Sequence, residues 1–288
     1  MYHYRGEVTR MHSDLIINVG CIKDVPVERQ LRLFAETGFN GVFFDWSRDR
    51  MPDPFVPVAR RLGLRVQSLH APFYGMDDVW HDGGEDKARL MIDDLLACVD
   101  SCAACQVPLM ICHCIIGMDN HSPNALGLAR LQPVVEYAAR FGVTIAFENT
   151  EGEEYLAAVL ARFGGMPNVG FCLDTGHEMC YNERRDLLAR YGKYLVSTHL
   201  NDNLGRTGEE ITFFDDSHML PFDGTADWNR IAGRLHDCGF DGDLTYEFVR
   251  GNRPHRHTND RYLAMSDEEY VRLAFERCER FRRIFDGS

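Results

Sequence analysis

Eight short apolar runs alternate with eight segments of helical pattern along this chain, and the alternation limits the folds that it can adopt. An apolar run followed by a helical segment is typical of a buried parallel strand and its crossover helix. Eight such pairs within 288 residues predict an α/β chain that forms one (β/α)₈ TIM barrel. A doubly wound open sheet is the alternative, but no glycine-rich phosphate-binding pattern follows the first strand, where that fold would carry it.

The alternation also gives approximate bounds for each element. The predicted strands comprise residues 15–19, 41–45, 65–70, 107–113, 143–148, 169–174, 194–199 and 243–247. The predicted helices comprise residues 27–37, 54–62, 85–105, 122–141, 153–163, 183–191, 227–238 and 266–285. No linker or low-complexity segment interrupts them. We therefore interpret 1–288 as a single domain with a short N-terminal extension at 1–13.

Six of the predicted strands end in a side chain that can bind a metal ion. These side chains are His70, His113, Glu148, Asp174, His199 and Glu247. In a (β/α)₈ barrel the C-terminal ends of the strands form the active face, so we expect all six side chains around one opening. Helix caps and surface acids that follow strands by chance are the alternative, but recurrence on one strand after another argues against them.

Three carboxylates and one imidazole in this set form an oxygen-rich group that predicts a metal centre. The residues are Glu148, Asp174, His199 and Glu247. Three carboxylates crowded at one barrel mouth would repel each other without a cation. Oxygen-rich sites suit hard divalent ions, so we expect Mn²⁺, with Mg²⁺, Co²⁺ or Zn²⁺ as alternatives.

Four further polar residues follow the same strands and are candidates for substrate binding or for the surroundings of the metal. His177 comes three residues after Asp174, and Asp202 comes three residues after His199. Asp216 and His218 alternate in a long loop, where alternate residues can point the same way. From the residues alone, a structural role is as well supported as a direct role for each of the four.

Composition narrows the partners and the cellular compartment that we expect. The formal net charge of −13 argues against a chain that binds phosphate backbones, since such binding depends on Lys and Arg. No segment has the 18 or so successive apolar residues that a membrane span requires, and the N-terminus lacks a signal-peptide core. The ten cysteines follow no disulfide framework, which predicts a reducing, cytoplasmic location.

One segment that contains three cysteines and another that is rich in arginine can each be interpreted in two ways. Cys98, Cys102 and Cys105 resemble an iron–sulfur spacing, but their spacing within an apolar helix predicts one buried face. The segment 250–257 is rich in arginine and follows the last predicted strand. It is interpreted either as a solvated loop or as an anion clamp for a phosphate or carboxylate of the substrate.

Six segments together resemble the xylose isomerase-like TIM barrel superfamily. They are SLHAPF at 68–73, FENT at 147–150, LDTGH at 173–177, HLNDN at 199–203, DSHMLPFDG at 216–224 and YEF at 246–248. The superfamily includes sugar and sugar phosphate isomerases and epimerases, and the endonuclease IV enzymes of AP endonuclease family 2. The resemblance covers nearly the whole chain but does not specify one substrate.

This resemblance implies two models of the site. In ketose 3-epimerases the residues that match Glu148, Asp174, His199 and Glu247 hold one metal, and the two glutamates act as the acid–base pair. The residue that matches His177 contacts the substrate in those enzymes. In endonuclease IV three zinc ions use nine residues, which match His70, His113, Glu148, Asp174, His177, His199, Asp216, His218 and Glu247. All nine positions are filled here, so ligand identity does not separate the two branches.

The acidic charge favours the sugar branch. We therefore expect a divalent-metal-dependent isomerase or epimerase of a sugar or sugar phosphate, in which Glu148 and Glu247 transfer protons through an enediolate. An endonuclease IV-like zinc phosphodiesterase acting on abasic DNA, or a related sugar lyase or dehydratase, is the alternative. The expected partner is a small-molecule sugar rather than nucleic acid or a membrane, and a homo-oligomer is compatible with the sequence.

Overall fold

The computed structural model describes residues 13–117 and 122–287. The strands are β1 (Leu15–Asn18), β2 (Gly41–Asp45), β3 (Arg65–His70), β4 (Leu109–His113), β5 (Thr144–Glu148), β6 (Val169–Asp174), β7 (Leu195–His199) and β8 (Leu244–Tyr246). The helices are α1 (Val27–Thr37), α2 (Val56–Arg61), α3 (Glu85–Ala104), α4 (Ala125–Arg140), α5 (Glu153–Phe163), α6 (Thr175–Cys180), α7 (Leu187–Tyr191), α8 (Trp228–Asp237), α9 (Asp260–Leu263) and α10 (Asp267–Asp286).

The eight strands form one parallel sheet in the order β7-β6-β5-β4-β3-β2-β1-β8. Between the two outer strands, the Leu200 N–H donates to the Thr245 carbonyl at 2.8 Å, and the Glu247 N–H donates to the Leu200 carbonyl at 3.3 Å. These bonds bring the sheet close to a closed barrel, with helices between successive strands. The predicted single-domain (β/α)₈ TIM barrel is thus confirmed.

Pairing between neighbouring strands brings their C-terminal ends to one level. Asp45 pairs with His70, His113 pairs with Glu148, and Asp174 pairs with His199. Because the strands are parallel, these residues all stand at the same rim of the barrel. The register therefore delivers the strand-end side chains to one opening.

Side chains of each strand alternate between the barrel interior and the layer of helices. Leu109 and Ile111 pack inside the barrel with Cys172, whereas Met110 and Cys112 pack outward in the main hydrophobic core. His113 shares the inward face of β4, opposite to Cys112, as strand alternation requires. On α3, Cys98 and Cys102 are buried in the same outer core, which agrees with a packing role for both.

The helices differ from the prediction at two kinds of place: where residues have a left-handed backbone conformation, and where a helix is very short. The helix predicted at 183–191 begins only at Leu187, because Glu183 and Arg184 both have φ of 56°, which a right-handed helix excludes. The short helices α6 and α9 were not predicted. The final helix, predicted at 266–285, begins at Asp267, and Ser266 caps it by forming a capping box with Glu269.

The outermost bounds of the predicted domain stay a prediction. Residues 1–12, most of the N-terminal extension predicted at 1–13, lie outside the described residues. Within the part of the chain that the structure describes, no helix is long and apolar enough to cross a membrane.

Candidate metal centre and active site

Four residues from four strand ends converge at the mouth of the barrel. Ligand atoms of Glu148, Asp174, His199 and Glu247 all lie within 4.8 Å of one another. Glu148, Asp174 and His199 end strands β5, β6 and β7, and Glu247 directly follows β8. The structure therefore brings together the four residues that the sequence predicted as metal ligands.

Glu148 is the centre of this group, because imidazoles approach both of its carboxylate oxygens. Its Oε2 lies 3.3 Å from Nε2 of His70 and 3.3 Å from Nε2 of His113. Its Oε1 lies 3.0 Å from Nδ1 of His199, and that same nitrogen lies 3.3 Å from Oε2 of Glu247. One carboxylate is thus placed to be shared between two neighbouring groups of ligands.

The charges in the group depend strongly on one another. Burial alone would raise the pKa of the Glu148 carboxyl, but the rings of His199, His113 and His70 hold this pKa well below its usual range. Burial would also lower the pKa of His199, but Glu148 and Glu247 raise it well above 6.5. Of these rings, His199 and His70 have a raised pKa and so favour the charged form beside Glu148, whereas burial lowers the pKa of His113.

The donor set fits a divalent cation. Glu148 and Asp174 have fully buried side chains, and burial raises the pKa of the Asp174 carboxyl to about 6. Bringing buried carboxylates this close together is costly unless positive charge compensates them. Nε2 of His199, Nδ1 of His113 and Oδ1 of Asp216 are also buried without a hydrogen-bond partner among the described residues. Oxygen and imidazole ligands in this arrangement suit Mn²⁺, Mg²⁺, Co²⁺ or Zn²⁺.

Asp174 is held in place by its neighbours. Its Oδ1 accepts the backbone N–H of His177 at 2.7 Å and so caps helix α6, while its Oδ2 accepts Nδ2 of Asn201 at 2.8 Å. Asn149 bonds both backbone groups of Asp174. A Cβ at Gly176 would lie 2.0 Å from Oδ1 of Asn201, so only glycine leaves room for this amide.

We call Glu148, Asp174, His199 and Glu247 the metal-ligand group. Three of the four further candidates lie beside it. His177 and His218 form a second group with Asp174, in which ligand atoms lie within 4.8 Å of one another. Oδ2 of Asp216 lies 2.9 Å from Nε2 of His218 and 3.5 Å from Nε2 of His177. His70, His113 and Glu148 form another such group. Direct roles for these side chains stay a prediction.

Asp202 has a different position. Its Oδ1 accepts the Ala226 N–H at 2.9 Å, and its Oδ2 accepts Nε1 of Trp228 at 2.9 Å. These bonds join the loop after β7 to the start of helix α8. The structure does not bring Asp202 into the metal-ligand groups, so its geometry favours a structural role.

The arginines of the segment after β8 are held by acids, which argues against the anion clamp. Arg250 pairs with Asp267 at 2.7 Å, and Arg256 pairs with Asp215 at 2.9 Å. Nη2 of Arg253 lies 2.7 Å from Oδ2 of Asp216. Arg261 likewise pairs with Asp223. The charge of each guanidinium is thus largely neutralised within the protein.

A cavity of about 470 Å³ opens above the metal-ligand group. Its lining includes Asp45, Glu151, His177, Tyr181 and Glu247. Asp45, Glu151 and Tyr181 were not among the predicted site residues. Asp45 ends strand β2 with a carboxylate, the same signal that identified the other strand ends, so the sequence could have identified it.

Comparison with known proteins agrees with the fold. The family model described as xylose isomerase-like TIM barrel matches residues 31–271, and the chain belongs to this family. An uncharacterized protein of Sinorhizobium fredii, y4fM, is 25% identical, with 86% of each chain covered.

Solved structures similar to this chain include proteins of several descriptions. The IolI protein, in a structure with a zinc atom, has a TM-score of 0.75 at 16% identity, covering 94% of this chain and 99% of its own. D-psicose 3-epimerase of Clostridium cellulolyticum, solved with D-tagatose, has a TM-score of 0.68 at 15% identity, covering 94% and 99%. A fusion of a xylose isomerase-like TIM barrel with 4-hydroxyphenylpyruvate dioxygenase has a TM-score of 0.71 at 14% identity. This chain spans only 43% of that protein, with 95% of its own length covered.

Proposed function

We propose that this protein is a divalent-metal-dependent isomerase or epimerase that acts on a sugar or sugar derivative. The observation that carries the proposal is the convergence of Glu148 and Glu247 with Asp174 and His199 beneath a cavity of about 470 Å³. This volume lies within the roughly 300–1,000 Å³ of cavities that bind one small molecule. A cation held by these four residues would act as a Lewis acid toward adjacent carbonyl and hydroxyl oxygens of a sugar.

The two glutamates have the chemistry that proton transfer beside a carbonyl requires. One carboxylate removes the proton from the carbon next to the carbonyl, and the other returns a proton to the resulting enediolate. Glu247 lines the cavity with a side chain that is 17% exposed, whereas the Glu148 side chain is fully buried. We therefore propose that Glu247 contacts the substrate at the cavity wall and that Glu148 lies deeper in the barrel than Glu247.

Neighbouring histidines keep the carboxylate of Glu247 ionised, which is the form that can accept a proton. Burial opposes ionisation of Glu247, but His199 and His218 lower its pKa to about 2. His177 also lines the cavity, within reach of a bound ligand's hydroxyl groups. The similarity of the fold to D-psicose 3-epimerase, together with the family, favours a ketose or a related sugar as substrate.

A zinc phosphodiesterase that acts on abasic DNA is the second candidate, and one observation favours it. Three overlapping groups of ligands share members: His70–His113–Glu148, Glu148–Asp174–His199–Glu247, and Asp174–His177–His218. Such a set has enough donors for more than one cation. The net charge of −13 and the paired arginines after β8 weigh against a surface that binds a phosphate backbone.

Two measurements on the purified holoprotein test the choice between these candidates. We expect elemental analysis to find about one Mn²⁺, Mg²⁺, Co²⁺ or Zn²⁺ per chain, and we expect no incision of an abasic duplex above that of metal-stripped protein. Three zinc ions per chain, together with metal-dependent incision that weakens steeply as salt rises, would replace the sugar proposal with the nuclease.

A further inference from the structure

A second cavity adjoins the one above the metal-ligand group. Its volume is about 690 Å³, and five residues line both cavities: Gly20, Asp45, His70, Phe73 and Tyr74. We call it the outer cavity. Each cavity lies within the roughly 300–1,000 Å³ that accommodates one small-molecule ligand. Because the two share a wall, they form a cleft with room for two linked rings.

Asp45 stands at the junction of the two cavities. Alternation along β2 puts it on the same face as Phe43, whose ring stacks on that of His199 with 4.7 Å between centroids. Asp45 is exposed, and its carboxylate has no hydrogen bond or ion pair with any other residue in 13–117 or 122–287. Both oxygens are therefore free to accept hydrogen bonds from a ligand that crosses the junction.

The walls of the outer cavity are largely apolar and aromatic. Trp46, Phe55, Phe73 and Tyr74 all line it, and Tyr74 is 83% exposed. Flat aromatic rings beside a free carboxylate suit a ring that has apolar faces and hydroxyl groups at its edge. A sugar ring has both features, because its C–H groups form the faces and its hydroxyls project outward.

The charges of the outer cavity disfavour an anionic group. Asp45, Asp49 and Arg50 are the charged residues, apart from His70, among those that line it, so acids outnumber the single guanidinium. In the adjoining cavity, the guanidinium of Arg253 is already paired with Asp216. A phosphate in the outer cavity would thus lie near Asp45 and Asp49 with Arg50 as the single guanidinium beside them, whereas an uncharged ring would meet no such repulsion.

We propose that the substrate has two rings, with the reacting sugar above the metal-ligand group and a second, uncharged sugar ring in the outer cavity, where Asp45 accepts its hydroxyl hydrogens. The proposal rests on the proposed function only for the chemistry of the reacting ring. It assigns a binding role to Asp45 and the outer cavity, and it excludes sugar phosphates as the preferred substrates.

Isothermal titration calorimetry on the metal-loaded protein tests this proposal through binding alone. The probes are the ketose disaccharides lactulose, maltulose, isomaltulose, turanose and leucrose, compared with D-fructose, D-tagatose and D-fructose 6-phosphate. We expect at least one disaccharide to bind about tenfold or more tightly than every monosaccharide and than the phosphate ester. If no disaccharide binds more tightly than the monosaccharides, or if the phosphate ester binds best, the proposal is wrong.

Two pairs of variants locate the second ring. Ser47 lines only the outer cavity, so Ser47→Trp should remove the preference for the disaccharide and leave monosaccharide affinity within about twofold, while Ser47→Ala should keep the preference. Asp45→Asn should weaken disaccharide binding less than Asp45→Ala, because the amide keeps one acceptor. Equal losses for monosaccharides and disaccharides in Ser47→Trp would overturn the placement.

A failure of this two-ring proposal can be distinguished from a failure of the proposed isomerase or epimerase function. Failure of enolisation chemistry would appear as absence of solvent deuterium in every ketose, whatever its affinity. Failure of the two-ring proposal would appear as absence of a disaccharide preference in calorimetry, whether or not any ketose exchanges its hydrogen.

Discussion

Glu148 ends strand β5, and its carboxylate lies close to histidines from three other strands. Its carboxylate oxygens face His70, His113 and His199 from three other strands, at 3.0 to 3.3 Å. A carboxylate so placed connects the neighbouring groups of ligands. We therefore propose that Glu148 both holds the metal ion and takes part in proton transfer.

The double variant Glu148→Gln with Asp174→Asn tests the metal centre. It removes two negative charges that divalent binding requires, so we expect metal content after gel filtration to fall by about tenfold or more. Glu151→Gln is a matched control, since Glu151 is also buried near the mouth but accepts the Gly117 N–H rather than joining the ligand group. Elemental analysis that finds full occupancy in the double variant would refute the four-ligand model.

The metal-free protein should lose stability as pH rises. Burial lowers the pKa of His218, but Asp216, Glu247 and Asp174 raise it to about 9, above its usual value of 6.5. Folding then favours the protonated ring, so this stabilisation is complete below pH 6.5 and is lost as pH rises through about 9. Asp174, with a pKa raised to about 6, acts in the same direction at lower pH.

Urea unfolding of EDTA-treated protein between pH 6 and 10 measures this effect. We expect the free energy of unfolding to fall with pH by an amount on the order of 3 kcal/mol from His218. His218→Gln should show a shallower decline. The lowered pKa of Glu247 contributes no slope here, because its stabilisation is lost only as pH falls below 4.5 toward about 2. A pH-independent free energy across this window would contradict the assigned charges.

At the scale of elements, helix α6 and strand β6 are joined through Asp174. This residue ends β6, caps α6 through the His177 N–H, and is held by Asn201 from the loop after β7. Gly176 allows this arrangement, because any side chain there would occupy the space of the Asn201 amide. The position of one proposed metal ligand, Asp174, therefore depends on the absence of a side chain at Gly176.

Gly176→Ala should displace Asn201 and loosen Asp174, so we expect weaker metal binding together with a loss of stability of about 1–3 kcal/mol. Gly233→Ala in helix α8 is the matched control, since a Cβ there meets no atom within 4 Å and alanine favours a helix by roughly 0.5–1 kcal/mol. Metal titration and urea unfolding of both variants provide the measurement. Unchanged metal affinity in Gly176→Ala would show that the Asn201 contact does not position Asp174.

Strand ends were predicted well from the sequence, and short helices were not. A buried strand that stops at a polar residue leaves a clear pattern, and this pattern located Glu148, Asp174 and His199 at the rim. Helix α7 starts late because Glu183 and Arg184 adopt left-handed conformations that no residue type there signals. The tertiary partners of Asp202 likewise lie far along the chain, so its bonds to Ala226 and Trp228 could not be predicted from local pattern.

At the scale of the whole molecule, the barrel collects side chains from distant parts of the chain into one cleft. The metal-ligand group, the cavity above it and the outer cavity lie side by side, with Asp45 and His70 common to both cavities. The sequence predicted this convergence, because parallel strands share a carboxyl edge. The volume and charge of the cleft could not be predicted, since they depend on how the loops pack.

Incorporation of solvent deuterium into a ketose, followed by mass spectrometry, tests the central claim that Glu148 and Glu247 transfer protons at this centre. The parent protein and the single variants Glu148→Gln and Glu247→Gln, each loaded with metal and checked for metal content, are incubated in D₂O with the monosaccharide and disaccharide ketoses. We expect the parent to incorporate deuterium and convert a ketose, and both variants to lose conversion by about 100-fold or more. Either variant retains incorporation only if its remaining glutamate is the one that removes the first proton. Conversion by both variants at the rate of the parent, on a ketose that the parent converts, would contradict the account.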